Sequence, residues 1–132
     1  MTDSIGSIAI LGGTGDLGGG LARRWSRAGY RILIGSRTLA KGEAAAQALL
    51  DEFSDLNVTG HENLDAATQA DLVVLTVPFE HQLSTLETVK PGLTGKILVD
   101  VTVPLIPPKV GTVQLPASGS AGQQAQEFLG EE

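Results

Sequence analysis

The stretch Gly12-Gly13-Thr14-Gly15-Asp16-Leu17-Gly18 constrains this chain more than any other. It comes directly after Ser7-Ile8-Ala9-Ile10-Leu11, an apolar run too short for a helix, and leads straight into helically spaced residues. Gly13, Gly15 and Gly18 stand at G-x-G-x-x-G spacing. Each meets a separate steric demand: a sharp reversal out of a strand, close approach of backbone to a pyrophosphate, and close packing of helix on strand. The anion would rest on free N–H groups at the positive end of the helix dipole. A strand before and a helix after are the context that separates this fingerprint from an ordinary glycine turn.

Downstream, Leu17, Leu21, Trp25 and Ala28 recur at helical spacing until Gly29, which predicts a first helix with those residues on its inner stripe. Gly19 and Gly20 each cost that helix about 1 kcal/mol relative to alanine and have no local reason. Arg31–Gly35 reads as a second strand and Leu39–Phe53, rich in alanine and leucine, as a second helix. Asn57-Val58-Thr59 is a short third strand, and Asn63 is placed to cap a brief helix through Ala70. Asp71–Val77 is nearly continuously apolar, as expected of a parallel strand covered on both faces, and Pro78 ends it. Phe79–Val89 comes next as a helix with Leu83 and Leu86 inward, then Lys96–Val101 as a strand. Pro104, Pro107 and Pro108 make an extended connection through about Pro116 before a helix from Ser120 to Leu129. Strands alternating with helices predict an α/β fold, a doubly wound parallel sheet of the Rossmann type.

At 132 residues, 1–132 is expected to be a single domain, with no room for a second, substrate-binding one. A net charge of −6 and 4% aromatics, without basic tracts, argue against nucleic acid and anionic membranes as partners. The absence of cysteine excludes disulfides, thiolate nucleophiles and cysteine-ligated metals. The 2 histidines are far apart, so a metal site has little support; His61 reads as a solvated loop residue. No leader-like or long apolar segment occurs, and a cytoplasmic protein is expected.

In enzymes selective for the non-phosphorylated dinucleotide, a carboxylate about 20 residues beyond the glycine loop binds the ribose 2′-hydroxyl. Here that place holds Gly35-Ser36-Arg37. A hydroxyl and a guanidinium suit a 2′-phosphate instead, and Lys41 adds a second cation one helical turn on. The expected ligand is therefore NADP(H).

These motifs, together with Val74-Leu75-Thr76-Val77-Pro78-Phe79-Glu80-His81, resemble the NADPH-dependent reductases of the deazaflavin coenzyme, the coenzyme F-420:NADP oxidoreductases. The resemblance implies hydride transfer between nicotinamide C4 and deazaflavin C5, which needs proximity and orientation rather than a nucleophile. It implies that Gly13, Thr14, Gly15, Asp16, Leu17 and Gly18 form the phosphate loop and that Ser36, Arg37 and Lys41 meet the 2′-phosphate. Thr76, Val77, Pro78 and Phe79 would then line the approach to the nicotinamide, with His81 a positioning residue rather than a certain catalytic one. Members of the family carry a further strand and a region that supplies the deazaflavin pocket and dimer contacts. This chain is accordingly expected to be either a fragment holding the NADP half of such an enzyme or a short relative that does not reduce deazaflavin unaided, in either case with a sheet short of the family's last strand; a homo-oligomer and a small-molecule redox acceptor are the expected partners.

The alternative is a noncatalytic NADP(H) sensor or protein-interaction module. Gly12, Gly15 and Gly18 also satisfy the spacing of short-chain dehydrogenases, but those enzymes need a tyrosine with a lysine four residues on. Here Tyr30 is followed at that distance by Ile34.

Overall fold

The computed structural model describes residues 6–104 and 113–130. Within them β1 (Ser7–Leu11), β2 (Arg31–Ser36), β3 (Val58–Glu62), β4 (Leu72–Leu75) and β5 (Ile97–Asp100) form a 5-stranded sheet in the order β3-β2-β1-β4-β5. All neighbouring strands are parallel. Helices α1 (Asp16–Arg27), α2 (Leu39–Glu52), α3 (Asn63–Gln69), α4 (Gln82–Val89) and α5 (Ala121–Leu129) cover the two faces. This is the expected doubly wound sheet, with the reversal of strand order falling between β1 and β4. Pro107 and Pro108 lie outside the described residues. Among the described residues no helix is long and apolar enough to cross a membrane.

Alternation along the strands divides the core. Ile8, Ile10, Ile32, Ile34 and Val74 point to one layer, where Ala22 of α1 and Ala46 of α2 meet them. Ala9, Leu11, Leu33, Val73 and Leu75 point to the other, against Ala66 and Ala67 of α3, Leu86 and Val89 of α4, and Ala125 of α5. Small helix residues bring the layers close, so branched strand residues fill the space between them. β5 is different: Ile97 is 69% exposed and Val99 is also exposed, because among the described residues α5 covers only the opposite face of that strand, where Leu98 packs.

Several local expectations need correction. The buried stripe of α1 is Gly18, Ala22 and Ser26, flanked by partly buried Leu21 and Trp25; Leu17 is 52% exposed and Ala28 is exposed. The helix lies so close to β1 that only small side chains fit beneath it. Between β4 and β5, Phe79–His81 is a 3-10 turn, and α4 buries Gln82, Thr85, Leu86 and Val89 while Leu83 faces out. Asn63 is not a cap: Glu62 occupies that position without a side-chain bond, and Asn63 is the first helical residue, buried. His61 is no loop residue either; it belongs to β3 and bonds Thr59 Oγ1 at 2.7 Å and Asp65 Oδ2 at 2.6 Å.

A polar cluster fastens α5 to the sheet. The fully buried Gln82 donates from Nε2 to Asp100 Oδ2 (2.5 Å) and the Ala121 carbonyl (2.8 Å), and its Oε1 accepts from Gln124 Nε2 (2.9 Å). Ser120 caps α5, its hydroxyl accepting from Gln123 N at 3.1 Å.

Candidate functional site

Parallel strands deliver every loop that leaves their carboxyl ends to the same edge of the sheet. Gly12–Leu17 follows β1, Ser36-Arg37 ends β2, Asn63 follows β3 and Thr76–Pro78 follows β4. They surround an open cleft of about 330 Å³. The structure brings Thr14, Gly15, Asp16, Leu17, Ser36, Arg37, Lys41, Thr76, Val77, Pro78 and His81 together there. Gly13, Gly18 and Phe79, also expected at the site, do not line it. Sequence reasoning missed Gly12, Asn63, Ser84 and Thr85, which do.

The glycines divide by role. Gly12 has a φ of 77°, and a side chain there would meet Val77 Cγ1 at 2.7 Å. Gly13 and Gly18 are packing glycines: a Cβ on Gly18 would lie 2.6 Å from Thr76 Oγ1, 2.7 Å from Gly13 Cα and 2.8 Å from the Gly12 carbonyl. Gly15 is different. Its φ of −81° and ψ of 176° suit any residue, and the nearest atom to a Cβ would be the Gly12 carbonyl at 3.6 Å. Nothing among the described residues requires glycine there, and its position on the cleft leaves the loop backbone open to close approach from that side. Gly15 opens α1 without a side-chain cap, so the first N–H groups of the helix have no side chain bonded to them.

The loop is held from beneath. Gly12 N and Gly13 N donate to the Gly35 carbonyl at 3.0 and 3.2 Å. Thr76 donates to the Leu11 carbonyl from its N–H (2.9 Å) and its hydroxyl (2.8 Å). Thr76 therefore ties β4 to the start of the loop while also lining the cleft.

The charged corner lies at the end of β2. Ser36 is 6% exposed, and among the described residues its hydroxyl has no hydrogen-bond partner. The Arg37 guanidinium and the Lys41 ammonium, in a chain of net charge −6, have no ion-pair partner among the described residues. Thr38 begins α2 by accepting from Lys41 N at 3.4 Å, which sets Lys41 one turn into the helix beside Arg37. Two free cations and a free hydroxyl form a receptor for a doubly charged oxyanion. His81, also on the cleft, has its Nε2 3.6 Å from Glu80 Oε1 on the 3-10 turn after β4. A larger groove of about 500 Å³ runs beside β5 and α5, but its lysines are engaged: Lys96 Nζ donates to the Ala67 and Thr68 carbonyls at 2.6 and 2.7 Å, and Lys90 Nζ to that of Phe128 at 3.2 Å.

A parallel sheet in this order with a glycine loop over its carboxyl edge defines a Rossmann-type dinucleotide-binding fold. The family described as NADP oxidoreductase coenzyme F420-dependent matches residues 7–104. The chain belongs to that family. It is 44% identical over 127 residues to the F420-dependent NADP reductase of Methanothermobacter marburgensis, covering 92% of this chain and 57% of the relative. It is 42% identical over 131 residues to the F420-dependent NADP reductase of Methanocaldococcus jannaschii, covering 94% and 58%. A crystal structure of a putative F420-dependent NADP reductase from Arthrobacter sp. FB24 superposes with a TM-score of 0.77 at 26% identity, covering 96% and 59%. A pyrroline-5-carboxylate reductase of Coxiella burnetii shares the fold at 19% identity and a TM-score of 0.58, covering 98% and 41%. The chain thus spans little more than half the length of the reductases it matches.

Proposed function

We propose that this chain is the NADP(H)-binding part of an oxidoreductase that exchanges hydride with a deazaflavin coenzyme. The observation that carries the NADP(H) reading is the corner of Ser36, Arg37 and Lys41, where two unpaired cations and a free hydroxyl stand at the place the fingerprint reserves for the adenosine ribose. Thr14, Gly15, Asp16 and Leu17 present the helix N–H groups to the pyrophosphate, with the room left at Gly15 for its approach. Thr76, Val77, Pro78 and His81 form the wall along which the nicotinamide end lies. When bound, NADP(H) supplies the hydride at nicotinamide C4. The chain's own residues anchor the two phosphate-bearing ends and fix the direction of the ring, which is the part of catalysis owed to proximity.

The acceptor is proposed from the names of the matched relatives, F420-dependent NADP reductases. These names do not favour a noncatalytic sensor. A cytoplasmic setting belongs to the same proposal, permitted by a chain without cysteine. So does self-association through the open β5 edge, where Ile97 and Val99 are exposed.

Titration with NADP(H) and NAD(H) tests the reading. NADP(H) is expected to bind at least about tenfold more tightly, since two charged hydrogen bonds are worth roughly 1.5–3 kcal/mol each. Arg37→Ala should erase most of that gap, and equal affinities in the unmutated protein would refute it.

A further inference from the structure

The carboxylate that is missing beyond β2 returns from a different strand. In the parallel register of β2 and β3, Ser36 is the partner of Glu62, and each is the last residue of its strand. Glu62, Ser36 and Arg37 line one hollow of about 470 Å³, and that hollow shares Ser36 and Arg37 with the glycine-loop cleft. Along the chain Glu62 stands 25 residues beyond Arg37, so only the strand pairing brings the two together.

No contact among the described residues occupies this carboxylate. Glu62 holds the cap position of α3, yet its side chain makes no cap bond; it is exposed, and it has no ion-pair partner among the described residues. Asp65, one turn on, is different, because His61 and Gln69 both bond to it. Arg37 is unpaired as well. A free carboxylate and a free guanidinium therefore share one hollow without closing on each other.

We propose that Glu62 is a specificity-determining residue of the 2′-phosphate corner that acts by repulsion: its charge opposes the phosphate that Ser36, Arg37 and Lys41 attract. The preference for NADP(H) over NAD(H) is thereby held below what those three residues would give alone. The inference rests on the NADP(H) reading above and adds the opposing charge to it. Repulsion acts through space and requires no particular rotamer. Register sets Glu62 one strand spacing of about 4.8 Å from Ser36, inside the screening length of about 8 Å at physiological ionic strength. A phosphate monoester carries about −1.5 to −2 charges near pH 7 and is repelled, whereas the uncharged 2′-hydroxyl of NAD(H) is not.

Adenosine 2′,5′-bisphosphate and 5′-AMP, which differ in the 2′-phosphate alone, test this by calorimetric titration. The unmutated protein should prefer the bisphosphate; absence of that preference refutes the NADP(H) reading itself. Given the preference, Glu62→Gln should strengthen bisphosphate binding at least about threefold and leave 5′-AMP within about twofold, as for one unit charge removed from within a screening length. Damage to the fold would lower affinity, so a selective gain is not a structural side effect. Glu62→Asp keeps the charge and should show no such gain. Asp55→Asn removes an equal charge before the amino end of β3, and the strand's 5 residues, at about 3.3 Å each, put it beyond the screening length. It should leave both ligands unchanged. In about 1 M salt, where the screening length falls to about 3 Å, the gain in Glu62→Gln should vanish. A smaller gain or a loss for the bisphosphate would overturn the proposal. So would an equal gain for 5′-AMP, a matching gain in Glu62→Asp or Asp55→Asn, or a gain that survives the salt.

Discussion

Replacing Gly15 by alanine separates what the glycine loop does for the fold from what it does for a ligand. The backbone at Gly15, φ −81° and ψ 176°, accepts alanine without strain, and the new Cβ would find its nearest neighbour at an ordinary 3.6 Å. Alanine is a poorer N-cap than glycine by roughly 0.5–1 kcal/mol, while its stiffer unfolded chain offsets about 0.4–1 kcal/mol. Stability should therefore stay within about 1 kcal/mol of the unmutated protein. The methyl group, however, would stand at the cleft, and under the proposed function that is where the pyrophosphate rests. Displacing one charged hydrogen bond costs about 1.5–3 kcal/mol, so NADPH should bind roughly 10- to 100-fold more weakly. Gly18→Ala is the contrasting variant. Its Cβ would overlap Gly13 Cα at 2.7 Å and the Gly12 carbonyl at 2.8 Å, backbone atoms that cannot turn aside. Overpacking of that kind costs about 1–3 kcal/mol before any ligand is added. Urea denaturation read by tryptophan fluorescence, paired with NADPH titration, measures both quantities. Unaltered NADPH affinity in a folded Gly15→Ala protein would refute the assignment of this loop to the pyrophosphate.

Gln82→Met keeps the side-chain length but strips the bonds to Asp100, Thr102, Ala121 and Gln124. At roughly 1–3 kcal/mol for each buried group left unpaired, urea denaturation should show a loss of about 3 kcal/mol, and a loss below about 1 kcal/mol would contradict the clamp. Hydrogen bonds from Gln69, and then from His61, hold the Asp65 carboxyl below its usual value. That stabilisation is present above the ordinary aspartate pKa of about 4 and disappears as pH falls through the lower folded-state value. Because the Asp65 side chain is half-exposed, it amounts to on the order of 0.5 kcal/mol, and Asp65→Asn should flatten the acid limb of a stability–pH curve by about that much. An unchanged limb would count against it. For self-association, Ile97→Lys should shift the sedimentation coefficient to that of a monomer; an unmutated protein that already sediments as a monomer would refute the use of this edge.

Much of the site is legible locally because each loop is joined directly to its strand. The short runs Ile8–Leu11 and Ile32–Ile34 are apolar at every position, so they read as buried parallel strands, and the residues after them must emerge at one edge. Ser36, Arg37 and Lys41 can be named for that reason. Asn63 cannot. It reaches the cleft because the fold sets it in a hollow with Ser36 and Arg37, and along the chain it resembles any polar residue opening a helix. The full length of β3 is equally hard to read: Gly60, His61 and Glu62 have weak strand preference, yet they pair with β2 because Gly60 lets Gly42 of α2 approach, where a Cβ on Gly60 would overlap the Gly42 backbone. The burial of Gln82 and the exposure of Leu83 reverse the hydrophobic pattern of α4, since four separate partners, Asp100, Thr102, Ala121 and Gln124, stabilise the buried amide.

The sequence by itself determined the alternation of strands and helices, the glycine loop, and the absence of a carboxylate beyond the second strand, all consequences of residue type at short spacing. Only the tertiary structure decided the order β3-β2-β1-β4-β5, the company of Asn63, and the difference between Gly18, required by packing, and Gly15, which packing does not require. Those depend on distances between atoms that the chain brings together from far apart. Periodicity cannot express such distances, because it reports which way a residue faces and not what it meets.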